Sequence, residues 1–174
     1  MIAQALRGRA GTGAARALVL ASLIVAARSH ADPAVDTGAA FLQKAAQANA
    51  AEIKTSQAAQ TRAVDPAVKA LADRMVDEHT ANEHALDALA KKRNVTVPAE
   101  PDSDGVMRIG SLQNLEGGAF DRAYVRRMVD DHAAAVAFFD EAARTIGDPE
   151  IRQFIEATLP VLREHAEAAK ALAH

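Results

Sequence analysis

Two Asp-Pro pairs, Asp65-Pro66 and Asp148-Pro149, each stand between two long stretches whose apolar residues recur at helical spacing. An aspartate that accepts the free N–H groups of a first turn, followed by proline at the first helical position, is a helix start. A helix before and after each pair makes two antiparallel hairpins. In the first helix, about residues 38–62, the stripe is Phe41, Ala45, Ala48, Glu52, Thr55 and Ala59. The second, about 66–93, carries Val68, Leu71, Met75, His79, Asn82, Leu86 and Leu89. The third, about 117–146, carries Phe120, Tyr124, Met128, His132, Ala135 and Phe139. The fourth, about 149–172, carries Ile151, Ile155, Leu162, His165, Ala169 and Leu172, with Pro160 inside it expected to kink it. Residues 94–115 hold Pro98, Pro101, Gly105 and Gly110 without a sustained period, so they form a crossover with at most one short helical turn in Gly105–Leu115.

Composition supports helices over strands. Alanine fills 43 of 174 positions and aromatic residues only 3%, which disfavours a sandwich or barrel. Alanines on the stripes also let helices approach closely. The chain has no cysteine, which excludes disulfide scaffolds, thiolate zinc sites and iron–sulfur clusters. A formal charge of −3 offers nucleic acid no basic surface. The expected fold is all-α: residues 32–174 as a ferritin-like antiparallel four-helix bundle, two hairpins joined by a long crossover.

The first 31 residues have the pattern of a secretory signal peptide. Arg7, Arg9 and Arg16 precede the apolar run 17–27, and Ser29-His30-Ala31 supplies small residues before a cleavage point. Cleavage after Ala31 removes four arginines and no acid, leaving 16 basic and 23 acidic residues and a formal charge of −7. No later segment approaches membrane length, so the expected product is exported, to the periplasm, without a transmembrane segment.

Glu52, His79, His132 and His165 occupy stripe positions on four different helices, where leucine is expected. Glu52 lies 13 residues before Asp65 and His79 lies 14 after it; His132 lies 16 before Asp148 and His165 lies 17 after it. Equal offsets from a hairpin turn mean equal height, so Glu52 is expected to face His79 and His132 to face His165. Burying such groups without partners is costly. One transition-metal ion, zinc or copper, would explain all four as ligands. A metal-free hydrogen-bond network is the alternative. Asn82, Asp121, Tyr124 and Asp131 are candidate supports around the ligands. Arg74–His79 and Arg127–His132 are near-identical hexapeptides that place Met75 and Met128 one turn before a histidine, as weaker candidate ligands favouring copper. A di-iron oxidase needs Glu-x-x-His, but Val76, Val129 and Leu162 stand three residues before the histidines. Glu78, Asp131 and Glu164 immediately precede them and are placed to support or bridge. Lys91-Lys92-Arg93 suits a helix C-terminus, and His84 lies on a solvent side.

The segments FLQKAAQANAAEIKTSQAA, VKALADRMVDEHTANEHALDALA, GGAFDRAYVRRMVDDHAAAVAFFDEAA and DPEIRQFIEATLPVLREHAEAAKAL resemble the bacterial domain of unknown function 4142 family over residues 37–172. The resemblance implies a ferritin-like four-helix fold and export. The second half also resembles the domain of unknown function 305 family, whose members are associated with metal, chiefly copper. That resemblance places motif residues on His79, His132 and His165, with Asp121, Tyr124 and Pro160 matching. The chain departs from it at Asp131, where a further histidine would stand, and lacks a Met-rich end. The expected function is metal buffering or stress protection by an exported bundle. The alternative is a non-enzymatic structural or interaction protein of the envelope, its protein partner unknown. A redox enzyme acting on peroxide would draw on Tyr124 near His132.

Overall fold

Each Asp-Pro pair does start a helix. The Asp65 side chain accepts from the Ala67 N–H, and Asp148 accepts from those of Glu150 and Ile151. The computed structural model describes residues 37–173, so the leader expected over residues 1–31 and the terminal His174 lie outside the described residues. Five helices follow one another: α1 (Thr37–Arg62), α2 (Pro66–Lys92), α3 (Ser103–Gly110), α4 (Gly117–Thr145) and α5 (Pro149–Leu172). The four long ones form an all-α, ferritin-like antiparallel bundle, two hairpins joined by a crossover.

Contacts between elements give the order around the bundle. α1 packs on α2 and α4 on α5 within the hairpins, while α2–α5 and α1–α4 contacts join them. The start of α4 lies beside the α1–α2 turn, since Phe120 and Tyr124 cluster with Ala59, Ala63 and Val68. Its end lies beside the start of α1, where Phe139 and Ile146 cluster with Phe41 and Leu42. The crossover therefore returns along the full length of the bundle, and every neighbouring pair of long helices is antiparallel.

The crossover contains more helix than its composition suggests. α3 begins at Ser103, ahead of the single turn expected in Gly105–Leu115, because Asp102 caps it by accepting from the Gly105 N–H at 2.8 Å. Gly105 is buried against α1: a Cβ there would sit 2.9 Å from the Pro101 Cβ and 3.2 Å from the Ala51 Cβ. Glycine serves here for close approach, although it weakens a helix intrinsically. α5 continues as helix through Pro160, which is exposed. Glu156, whose carbonyl lacks the usual donor there, is exposed as well.

The two ends are closed by different chemistry. At the end holding the α4–α5 turn, Lys92 pairs with Glu150, and Arg93 pairs with Asp148 and, at 3.0 Å, with Glu150. The basic tail of α2 thus meets the acidic start of α5, which adds to its effect on its own helix dipole. At the other end, buried Asp121 accepts from the backbone N–H groups of Val64 (3.1 Å) and Asp65 (2.8 Å). Asp121, expected from sequence beside the candidate ligands, instead fastens α4 to the first hairpin turn. Arg62 lies over the Phe120 ring, 4.6 Å from its centroid, and donates to the Gln113 and Leu115 carbonyls.

Between these ends the core has two apolar clusters. One gathers Phe41, Leu42, Leu86, Phe139, Ile151 and Ile155. The other gathers Ala59, Val68, Met75, Phe120, Tyr124 and Met128. Asn49, Glu52, His79, His132 and His165, all buried, fall between them along their helices. Replacing Asp121 with Ala leaves two backbone donors unsatisfied and should destabilise the bundle by about 1–3 kcal/mol. Chemical denaturation monitored by circular dichroism will read this as a lower midpoint with an unchanged slope.

Candidate metal centre

Every long helix delivers polar side chains to the layer between the clusters: Asn49 and Glu52 from α1, His79 from α2, His132 from α4 and His165 from α5. The three imidazoles meet. His132 Nε2 lies 3.2 Å from His165 Nδ1 and 3.4 Å from His79 Nε2. One nitrogen from each ring falls within 4.8 Å of the other two. Among the described residues, these three form the cluster of ligand-type groups able to share an ion.

The outer nitrogens explain what faces inward. His132 Nδ1 lies 3.0 Å from the Met128 carbonyl, which can only accept, so that nitrogen carries the proton. His165 Nε2 lies 2.7 Å from the Glu78 carboxylate and donates to it. Asn49 gives its N–H to the His79 carbonyl at 2.9 Å, and its Oδ1 receives an N–H from Asn82 at 3.1 Å. Its oxygen is therefore the acceptor facing His79 Nδ1, 2.8 Å away. All three outer nitrogens donate, so all three inner nitrogens present lone pairs to one another. No proton stands between them while the rings are neutral.

Burial keeps the rings neutral. It pushes His79 well below the usual 6.5, and the charges His132 and His165 would carry add to that effect. His132 is lowered to about 4 by burial and then by His165. His165 is lowered by burial against the opposing pull of Glu78. Neutral imidazoles are the ligating form, and an outer N–H held by a carboxylate or carbonyl is the usual support of a metal-bound histidine. A tetrahedral ion with Zn–N bonds of about 2.0–2.1 Å holds its nitrogens about 3.3 Å apart. The two short separations here match that spacing.

The remaining sequence candidates are distributed differently. Glu52 is not in the imidazole cluster: Asn49, three residues earlier on α1, takes the place opposite His79. The Glu52 carboxyl lies against Asp131, and burial followed by the Asp131 charge pushes it up to about 8. Burial likewise raises Asp131, which lies 3.7 Å from Arg127. Asn82 supports the cluster at one remove, through Asn49. The Tyr124 hydroxyl pairs with Ser56 at 3.0 Å, and its ring stacks on Phe120 in the apolar cluster. Met75 and Met128 are fully buried in that cluster, and it is the Met128 carbonyl that holds His132. Glu78 also pairs with Arg74 at 2.8 Å, and Arg74 with Glu164 at 2.9 Å, so a chain of charges runs from His165 to the surface. His84 is exposed.

Sequence reasoning missed Asn49. Its signal is an amide inside an alanine-rich helix, four residues after Ala45 and so on the same face.

The profile described as "Domain of unknown function (DUF4142)" matches residues 25–172. The chain belongs to the DUF4142 family. Two solved structures resemble this DUF4142 protein. One is described as the crystal structure of a DUF305 fragment from Deinococcus radiodurans: TM-score 0.69, 17% identity, covering 81% of this chain and 97% of that one. The other is described as CopM in the Cu(II)-bound form: TM-score 0.67, 17% identity, covering 78% and 95%. At that identity the likeness is one of fold. No curated protein sequence matches the chain.

Opposite pH dependences follow for the metal-free DUF4142 protein. His132 binds its proton near pH 4 when folded and near 6.5 when unfolded. The unfolded state thus holds more protons in that interval, and the stability that neutral His132 supplies is lost as pH falls from about 6.5 to 4. His132→Gln should flatten this acid limb in thermal melts recorded with chelator. Glu52, raised from 4.5 to about 8, behaves in reverse: the folded state holds the extra proton, and stability drains away as pH rises across that range. The difference in melting temperature between Glu52→Gln and the parent should therefore grow between pH 5 and 8.

Proposed function

We propose that this protein binds one transition-metal ion, copper or zinc, through His79 Nε2, His132 Nε2 and His165 Nδ1, and serves as an exported metal buffer in the periplasm. The observation that carries this reading is the convergence of three imidazole lone pairs whose outer N–H groups are all engaged. Three acceptors facing one another are repulsive until a cation lies between them. Three neutral imidazoles suit copper and zinc, leaving one position of a four-coordinate ion open to water or a transferable ligand. The Cu(II)-bound neighbour of the same fold favours copper as the first ion to test. An iron oxidase fits less well, because Val76, Val129 and Leu162 stand where its carboxylates would be.

Export is supported by the basic and apolar pattern of residues 1–31. Among the described residues, no helix is long and apolar enough to cross a membrane.

Titration of the metal-free protein with Cu2+ or Zn2+ should give one ion per chain at high affinity. An ion at 100 times its Kd should stabilise the fold by about 2.7 kcal/mol, seen as a rise in melting temperature that chelator reverses. His79→Ala and His132→Ala should each abolish that rise. If neither ion shifts the melt of the intact protein, the three histidines act as a metal-free network and the bundle is structural. The N-terminus of protein recovered from a periplasmic fraction should be Asp32.

A further inference from the structure

Beside the imidazoles, a cavity of about 310 Å³ opens between α1, α3 and α4, with edges of His79 and His132 in its wall. Glu52 and Asp131 also line it, and Asp102, Asp104 and Arg108 stand among its lining residues from the crossover. Glu52 is the anomaly. It is only 9% exposed, and its Oε2 has no hydrogen-bond partner. Its immediate neighbour is another carboxylate, Asp131, close enough to share a proton with it, while Arg108 and Arg127 act on it only through their charge. Arg127 accounts for one negative charge at Asp131, at 3.7 Å, and donates its other arm to Ser111 at 3.4 Å. Among the described residues, no ion pair reaches Glu52. Two touching carboxyls on the wall of a cavity, one with a buried oxygen that no donor reaches, need a proton or a cation between them.

The geometry points to a second cation station: Glu52 and Asp131 hold a hard divalent ion, with water filling its other positions, in the cavity just outside the three imidazoles. The inference builds on the metal reading of the centre, because the station lies on the cavity that reaches two of its ligands. Oxygen donors and water suit a hydrated ion that has not yet shed its shell, whereas the imidazoles suit the ion once dehydrated. An incoming divalent ion would thus exchange water for carboxylate first and carboxylate for imidazole second, each step replacing one donor with another.

Mn2+ tests the station because it prefers oxygen donors. Its binding to the full-length protein is followed by loss of the free-ion electron paramagnetic resonance signal. The expected result is one Mn2+ per chain, weakened at least tenfold by Glu52→Gln and likewise by Asp131→Asn, and retained by His165→Ala. Circular dichroism melts establish that each variant is folded; should one fail to fold, the other carries the test. No Mn2+ binding by the parent, or unchanged binding in both carboxylate variants, overturns the station. So does equal loss in His165→Ala, which would mean a single shared site. In parallel, Cu2+ titration of His165→Ala reports on the imidazole centre alone. Loss of Cu2+ with Glu52-independent Mn2+ binding defeats only the station. Glu52-dependent Mn2+ binding with undiminished Cu2+ defeats only the imidazole reading.

Discussion

Where three ring protons point decides what occupies the axis of this bundle. Each imidazole has two nitrogens, and each surrenders its only proton to an acceptor on the outer side: the Asn49 amide oxygen, the Met128 carbonyl and the Glu78 carboxylate. Were one of these acceptors a donor, a ring would turn its N–H inward and a hydrogen bond would bridge two histidines. The interior would then be a satisfied network. With all three acceptors in place, the inner nitrogens need a donor or a cation between them: a proton, a water molecule or a metal. Burial opposes protonation, pressing His132 down to about 4. The apolar clusters above and below the layer therefore help define the chemistry by burying the rings on two sides.

The fold was legible because its punctuation is local. Asp-Pro starts a helix through hydrogen bonds to residues two or three positions on, and a stripe at helical spacing reports burial without knowledge of the partner. α3 was harder to see because its stability is borrowed: Gly105 and Gly110 weaken it as an isolated helix, and contact with α1 through Gly105 compensates. The imidazole centre was legible in part. Counting outward from Asp148 pairs His132 with His165, and their rings do meet. Counting outward from Asp65 pairs Glu52 with His79, yet Asn49 is the residue that touches His79. Height along a hairpin leaves the facing direction free by a turn, and the choice between residues 49 and 52 depends on how α1 is rotated about its own axis against α2.

Asp121 and Tyr124 show the same limit from another side. Both are buried polar residues on the inner face of α4, so both looked like supports for a site. Asp121 satisfies backbone donors at the α1–α2 turn, and Tyr124 satisfies Ser56. A buried polar residue signals that a partner exists, and sequence alone does not say whether it is an ion, a hydroxyl or a strained stretch of main chain.

Gly105 also carries a consequence for exchange with solvent. Because no side chain separates the crossover from α1 there, Asp102, Asp104 and Arg108 are drawn over the opening that leads toward the imidazoles. On the metal reading proposed above, speed of entry would belong to a connecting segment and strength of retention to the helices. A change of charge at Asp102, Asp104 or Arg108 would then alter the first without touching the second.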